Sequence, residues 1–225
     1  MKRILLLSII GIVFLCVDAG KLIRNPEYDR STVTLGIDSV ELTDTATVFD
    51  VSFYHHHGYW IRLDPETKLI GRNTGKEYAI KSISGLELGE KTYVPFSGFI
   101  SSEISFEPLA PADTIVDFIE PDGWKVMGIK LYDTTKGKIK TNLSGSVDSD
   151  LVSFLLLIPD EAPVTKNYLV PVRDNKFNYD LYTDSPKKFK VILGLNLWDG
   201  NMKTKRFKAE GKPVVINYDY EEVGM

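Results

Sequence analysis

The chain contains one cysteine, Cys16, which lies in the apolar N-terminal run 4–16. With no second cysteine it can form no internal disulfide and has no Cys-x-x-Cys motif for thiol–disulfide exchange. Its three histidines are adjacent, at 55–57, so a Ser/His/Asp triad would have to take its base from that one segment. The sequence also lacks a Gly-rich phosphate loop, a Gly-x-Ser-x-Gly elbow and a His-Glu-x-x-His motif. It therefore predicts a protein that is not an enzyme and needs no cofactor.

The first 19 residues have the pattern of a secretory signal peptide. Lys2 and Arg3 precede the apolar run, and Val17 and Ala19 occupy the small-residue positions before a cleavage site. We therefore predict an exported chain of the periplasm or cell envelope. Its mature form would begin at Gly20 and would have no transmembrane segment.

Two other interpretations of residues 1–19 stay open. A single-pass anchor needs roughly 20 apolar residues, and the run 4–16 is shorter than that. A lipoprotein signal would make a lipidated Cys16 the first residue of an outer-membrane protein. Leu15 argues against this second interpretation, because a lipoprotein peptidase accepts Gly, Ala or Ser at that position.

The charge balance is mildly acidic, with a formal net charge of -4. Apart from short lysine clusters near 187–188 and 203–206, the basic residues are scattered along the chain. Such a chain has no long-range attraction for phosphate backbones. We therefore predict that it does not bind nucleic acid.

The hydrophobic pattern alternates with the period of β-strands, and little of it has the period of a helix. The clearest predicted strands are 48–54, 77–83, 102–106, 114–119, 124–131 and 151–158. The last of these is almost uninterruptedly apolar, as in a central strand covered on both faces. Two-residue turns are predicted at 174–175 and at 199–200, each between two strands that would form a hairpin.

We predict an all-β fold of two consecutive antiparallel β-sandwiches of immunoglobulin-like type, spanning 28–132 and 139–220. The polar, glycine-containing segment 133–140 would be the junction between them. A long hairpin inside a single sandwich would give the same pattern, and that alternative stays open.

Several short motifs carry a resemblance to a known class of exported protein. Residues 25–28, 44–47, 75–78 and 106–109 resemble the leading module of exported proteins from gut-type Gram-negative anaerobes. Residues 143–147, 172–177 and 207–211 are similar to the uncharacterised β-rich domain that precedes a thioredoxin-like domain in those proteins. The resemblance implies an envelope accessory or binding module. It carries over no oxidoreductase activity, because the chain has no Cys-x-x-Cys.

The segment 54–60 is the one local concentration of functional side chains. On an extended strand His55 and His57 would share a face and could hold a transition metal, given a third ligand. An alternative is an aromatic surface for a ligand such as a sugar, formed by Tyr54, Tyr59, Trp60 and Trp198. The structural alternative is a strand end in which these aromatics cover a sheet edge. On that basis we predict that Trp60 is mostly buried, with the stem of Arg62 leaving a half-buried face.

The predicted function is a non-catalytic binding or accessory module of the cell envelope. Its partner would be an unknown envelope protein or a glycan. The alternatives are a carbohydrate-binding module that uses exposed aromatics, and a hydrolase with unrecognised carboxylates. Coplanar exposed rings would favour the first alternative, and a cleft with two facing acids would favour the second.

Overall fold

A computed structural model describes residues 20–31, 34–161, 167–194 and 204–219. Within these ranges the regular elements are strands and no helix is found, which confirms the all-β prediction. The first half contains β1 Lys21–Arg24, β2 Arg30–Ser31, β3 Leu35–Leu42, β4 Thr47–Tyr54, β5 Trp60–Ile61, β6 Lys68–Gly71, β7 Glu77–Ser84, β8 Thr92–Tyr93, β9 Phe99–Phe106, β10 Ile115–Ile119 and β11 Lys125–Lys130. The second half contains β12 Ile139–Val147, β13 Phe154–Pro159, β14 Tyr168–Pro171, β15 Lys176–Thr183, β16 Lys187–Leu193, β17 Thr204–Ala209 and β18 Val214–Tyr218.

The first half is built on one sheet of nine strands in the order β1-β3-β4-β9-β7-β6-β10-β11-β2. β7 connects the part of the sheet that contains β1, β3, β4 and β9 with the part that contains β6, β10, β11 and β2. Its residues 77–79 pair with β6, and its residues 80–84 pair with β9. A register shift between Ile80 and Ser82 marks the point of change, as expected where an irregular strand bends. The short strands β5 and β8 form a separate two-stranded ribbon.

Side chains from both parts of the nine-stranded sheet meet in one core. In β9 the even-numbered residues 100–106 are buried, and three of them are apolar: Ile100, Ile104 and Phe106. This alternation with a period of two places the apolar side chains on one face of the strand. Phe106 meets Phe118 of β10 edge to face, with ring centroids 6.1 Å apart. The cluster extends from Leu35 to Leu131. This packing of strand against strand is consistent with a β-sandwich.

The second half has its own hydrophobic cluster, from Leu143 to Tyr218. It contains a three-stranded sheet, β15-β12-β18, and a four-stranded sheet, β14-β13-β16-β17. β18 runs parallel to β12, whereas the other pairings are antiparallel. Residues 154–157 of β13 are all buried, as predicted for a central strand covered on both faces. The division of the chain into two immunoglobulin-like domains at 28–132 and 139–220 stays a prediction.

The turn at 174–175 is confirmed, but the hairpin around it is wrong. Asp174 and Asn175 both have positive φ, of 49° and 60°, and Arg173 and Lys176 exchange two backbone hydrogen bonds of 2.9 Å. Beyond this single bridge, β14 pairs with β13 and β15 pairs with β12. The two strands therefore enter different sheets, because each finds a partner elsewhere in the second cluster. The predicted turn at 199–200 and the signal segment 1–19 lie outside the described residues.

No helix of sufficient length and apolar character to cross a membrane occurs among the residues described above.

Candidate functional site

Tyr54 is a contact between the two halves of the chain and offers no exposed ring to a ligand. It is the last residue of β4 and only 1% exposed. Its ring packs against Phe154 at a centroid distance of 4.8 Å, and its hydroxyl accepts a hydrogen bond of 3.3 Å from Arg173 Nη2. The Arg173 guanidinium also lies 3.7 Å from the centroid of the Phe99 ring. The proposed role of Tyr54 in an exposed binding surface is therefore wrong, because Phe154 and Arg173 of the second half cover the face of β4 on which this residue lies.

The strand on which the predicted metal pair depended ends before the histidines begin. β4 stops at Tyr54, so His55 and His57 are not two alternate positions of one strand. The His55 ring stacks on Tyr59 at 4.6 Å, whereas the His57 ring lies 5.6 Å from Phe96. Nδ1 of His55 accepts a hydrogen bond of 2.9 Å from the backbone N–H of His56, and burial together with the adjacent His56 lowers the pKa of His55.

The described residues also bring no third metal ligand to this pair. In the part of the chain that the structure describes, no three His, Cys, Asp or Glu side chains come together in a way that could hold an ion. Metal binding by His55 and His57 stays a prediction without a structural basis.

The prediction that Trp60 is mostly buried is wrong, since 47% of the residue is exposed. Ile61 and Leu63 occupy the opposite face of the strand and are buried. Regular alternation therefore places Trp60 on the same outward face as Arg62. The long stem of Arg62 does not change that geometry.

Trp60 belongs to an aromatic patch, which we define as Tyr59, Trp60, Tyr93 and Phe96. Trp60 of β5 lies directly opposite Tyr93 of β8, which is 67% exposed. The ribbon is held by backbone hydrogen bonds from Val94 N to Tyr59 O, at 2.7 Å, and from Gly58 N to Val94 O, at 3.0 Å. Buried Ile61 and Val94 fix its inner face to the first core. The aromatic patch is therefore an exposed surface on an ordered framework.

Tyr93 and Phe96 are not among the aromatic residues predicted from the sequence. The signal that could have identified Tyr93 is the segment 91–94, in which Lys91 and Tyr93 alternate with Thr92 and Val94. Lys91 Nζ lies 4.1 Å above the Trp60 ring, at a distance typical of a cation–π contact. Trp198, the remaining predicted aromatic residue, lies outside the described residues.

A cleft of about 390 Å³ lies between one side of the aromatic patch and the second half of the chain. His55, His57 and Phe96 line it from the first half, and Leu151 and Phe154 line it from the second. At its base Ser153 Oγ donates a hydrogen bond of 3.4 Å to the Gly98 carbonyl oxygen.

A second cleft, which we call the tyrosine cleft, has a volume of about 440 Å³. Five tyrosines from both halves line it: Tyr28, Tyr132, Tyr168, Tyr179 and Tyr182. No sequence pattern joins these residues, because they come from the segment after β1, the segment after β11, and the strands β14 and β15. Tyr28 bridges the two halves through a hydrogen bond of 3.1 Å from its hydroxyl to the Asn167 carbonyl oxygen.

Two carboxyl groups in the first half have raised pKa values, and these are the relevant groups for the hydrolase alternative. Burial raises the pKa of Asp38, which accepts a hydrogen bond of 2.6 Å from Ser52 Oγ. Burial also raises the pKa of Glu120, which accepts backbone hydrogen bonds at residues 122 and 124. Neither residue lines the cleft beside the aromatic patch or the tyrosine cleft. Both carboxyl groups are thus engaged in local hydrogen bonds, away from the two clefts.

Comparison with models of known families and with curated proteins finds no match for this chain.

Proposed function

We propose that the protein is a non-catalytic binding module of the cell envelope, and that the aromatic patch contacts its partner. The observation that carries the proposal is the exposure of Trp60 and Tyr93 directly opposite each other on a fixed ribbon. Four of the seven large apolar or aromatic side chains that are exposed among the described residues belong to this patch. Clustered exposed apolar groups mark interaction sites more often than scattered ones do.

The residue types in the patch also support binding. Trp and Tyr are enriched among the residues that contribute most to binding energy, because each covers a large area with few rotatable bonds. The inner face of the ribbon is anchored by Ile61 and Val94, so the exposed rings lose little conformational entropy when a partner binds. The envelope location rests on the signal-like segment 1–19 and on the resemblance described above.

The second candidate is a carbohydrate-binding module that uses the same patch. It is favoured by the position of Trp60 directly opposite Tyr93 in two paired strands, with both residues exposed. Aromatic rings offer apolar faces to the C–H surface of a sugar, and Lys91 above Trp60 provides a hydrogen-bond donor for a hydroxyl group. The partner is then a glycan and not an envelope protein.

The test compares the Trp60→Ala and Tyr93→Ala variants with Val215→Ala, a control whose residue is 68% exposed on β18. Tag-free protein is passed over immobilised envelope polysaccharides and, separately, over immobilised outer-membrane proteins. We expect each patch variant to weaken retention by about 10-fold or more, the range for a central aromatic of an interface. Retention on polysaccharide supports the second candidate, and retention on protein supports the first. Equal retention of all variants, or none by the wild type, contradicts the proposal.

A further inference from the structure

The tyrosine cleft has the size and position of a small-molecule site. Its volume of about 440 Å³ lies within the roughly 300–1,000 Å³ of typical ligand pockets. It lies where the first half, the junction and the second half meet, and such boundaries are preferred locations of ligand sites. It shares no lining residue with the aromatic patch.

The rings that line the cleft are fixed by both hydrophobic cores. Tyr28 packs against the first cluster, and Tyr168 and Tyr179 pack against the second. Tyr168 also meets Phe189 edge to face, with ring centroids 5.9 Å apart. At Asn25 the backbone has a φ of 45°, a left-handed conformation that Asn tolerates, and this bend brings the segment before Tyr28 into the cleft wall.

The hydroxyl groups of Tyr168 and Tyr179 can act as hydrogen-bond donors at any ordinary pH. Burial, with the nearby Glu27 carboxylate, raises the pKa of Tyr168, and burial, with the neighbouring Tyr28, raises the pKa of Tyr179. Both phenols therefore keep their protons. Among the described residues the Tyr179 hydroxyl donates to no partner, so it is available to a ligand.

The cationic and anionic groups that line the cleft are equal in number, and two of the three carboxylates among them form ion pairs. Three cationic and three anionic residues line it: Lys21, Arg24, Lys138, Glu27, Asp133 and Asp180. Glu27 Oε2 lies 2.8 Å from Lys138 Nζ and 3.4 Å from Lys130 Nζ. Asp180 Oδ2 lies 2.7 Å from Lys140 Nζ. A charged ligand would have to compete with these ion pairs and would find no excess of opposite charge.

We infer that the tyrosine cleft binds a short uncharged saccharide. Its chemistry matches such a ligand on two counts. The tyrosine rings provide apolar surface for the C–H faces of sugar rings, and the phenol hydroxyls donate to and accept from sugar hydroxyls. The absence of net charge along the lining favours a neutral ligand over a uronic acid or a phosphorylated sugar.

Isothermal calorimetry on the whole protein tests this inference. The probes are maltotriose, cellotriose, xylotriose and N,N′-diacetylchitobiose, with trigalacturonate as the charged comparison. We expect at least one neutral probe to bind with a Kd of about 1 mM or tighter, and trigalacturonate to bind at least about 10-fold more weakly. Failure of all four neutral probes, or equal affinity for trigalacturonate, overturns the inference.

Two variants and one control locate the binding. Tyr179→Phe removes a hydroxyl and keeps the ring, so the Kd should rise by about 2- to 10-fold, the equivalent of one hydrogen bond. Tyr132→Ala removes a ring that is 40% exposed, and it should weaken binding further without affecting the folded state. Trp60→Ala should leave the affinity unchanged. If instead Trp60→Ala abolishes binding while both cleft variants retain it, the saccharide site is the aromatic patch, the inference fails and the proposed function stands.

Discussion

Asp113 should be one of the most important single side chains for the stability of the first half. It is 3% exposed, and it lies just before β10. Its carboxylate accepts hydrogen bonds from the backbone N–H groups of Asn73 and Thr74, at 3.1 and 3.0 Å. It also accepts from Thr74 Oγ1 at 2.5 Å and from the hydroxyl of fully buried Tyr78 at 2.6 Å. One side chain thus fixes the β6–β7 turn to the segment before β10.

The Asp113→Ala variant leaves these four donors without their acceptor. A hydrogen bond to a charged group contributes about 1.5–3 kcal/mol, and a buried donor left unpaired costs about 1–3 kcal/mol. The costs of losing the four hydrogen bonds are not additive. We therefore expect the free energy of unfolding to fall by about 3–5 kcal/mol in total. Urea denaturation measures it. Tyr78→Phe removes one of the four donors and should cost about 1–2 kcal/mol.

The contribution of Asp113 should depend on pH. Burial alone would raise its pKa, but the hydrogen bonds from Thr74, Tyr78 and Asn73 outweigh that effect and lower it. A lowered folded-state pKa means that the stabilisation is fully present above the unfolded-state value of about 3.9 and is lost as the pH falls through the lower folded-state value. The difference between wild type and Asp113→Ala should therefore shrink below about pH 4.

Asp133→Ala is the matched control, because Asp133 accepts similar hydrogen bonds from Thr135 N and Oγ1 at an exposed position. Its unfolding midpoint should stay close to that of the wild type. A change within experimental error for Asp113→Ala at pH 7, or an effect of the same size as that of Asp133→Ala, would refute the reasoning.

Three further outcomes are expected. Trp60→Ala should cost less than about 1 kcal/mol because the ring is exposed, whereas Ile61→Ala should cost about 2–5 kcal/mol; equal losses in urea denaturation would contradict this. Arg173→Ala removes the contacts to the Tyr54 and Phe99 rings of the first half, so the unfolding temperature measured by calorimetry should fall, and an unchanged temperature would count against the contact. Zinc should bind tag-free protein only weakly, and submicromolar affinity that disappears in a His55→Ala, His57→Ala double variant would prove this wrong.

The all-β fold could be predicted because the sequence alternates wherever a strand has one buried face. β9 shows this directly, since Ile104 and Phe106 are buried while Glu103 is exposed. The same rule would have placed Trp60 outside, next to Arg62 in the alternation. The prediction that Trp60 is buried was wrong because it gave the apolar stem of Arg62 more weight than this alternation.

The hairpin around 174–175 and the tyrosine cleft could not be predicted, for a common physical reason. The residues of the turn determine only the backbone pair next to it, Arg173 with Lys176. The strands with which β14 and β15 pair depend on packing in the second hydrophobic cluster. The tyrosines of the cleft are likewise brought together by tertiary structure. Before folding, Tyr28 and Tyr168 have no local relation in the chain.

The parallel pairing of β12 with β18 has a consequence for synthesis. Ser146 of β12 contacts Asn217 of β18, 71 residues further along the chain. A ribosome that adds about 5–20 residues per second needs about 4–14 s to make the second strand after the first. Throughout that interval one edge of β12 has no native partner, and an unpaired edge can recruit a strand of another chain. Where the chain folds as it emerges, this interval is a time window for aggregation that slower translation lengthens and faster translation shortens.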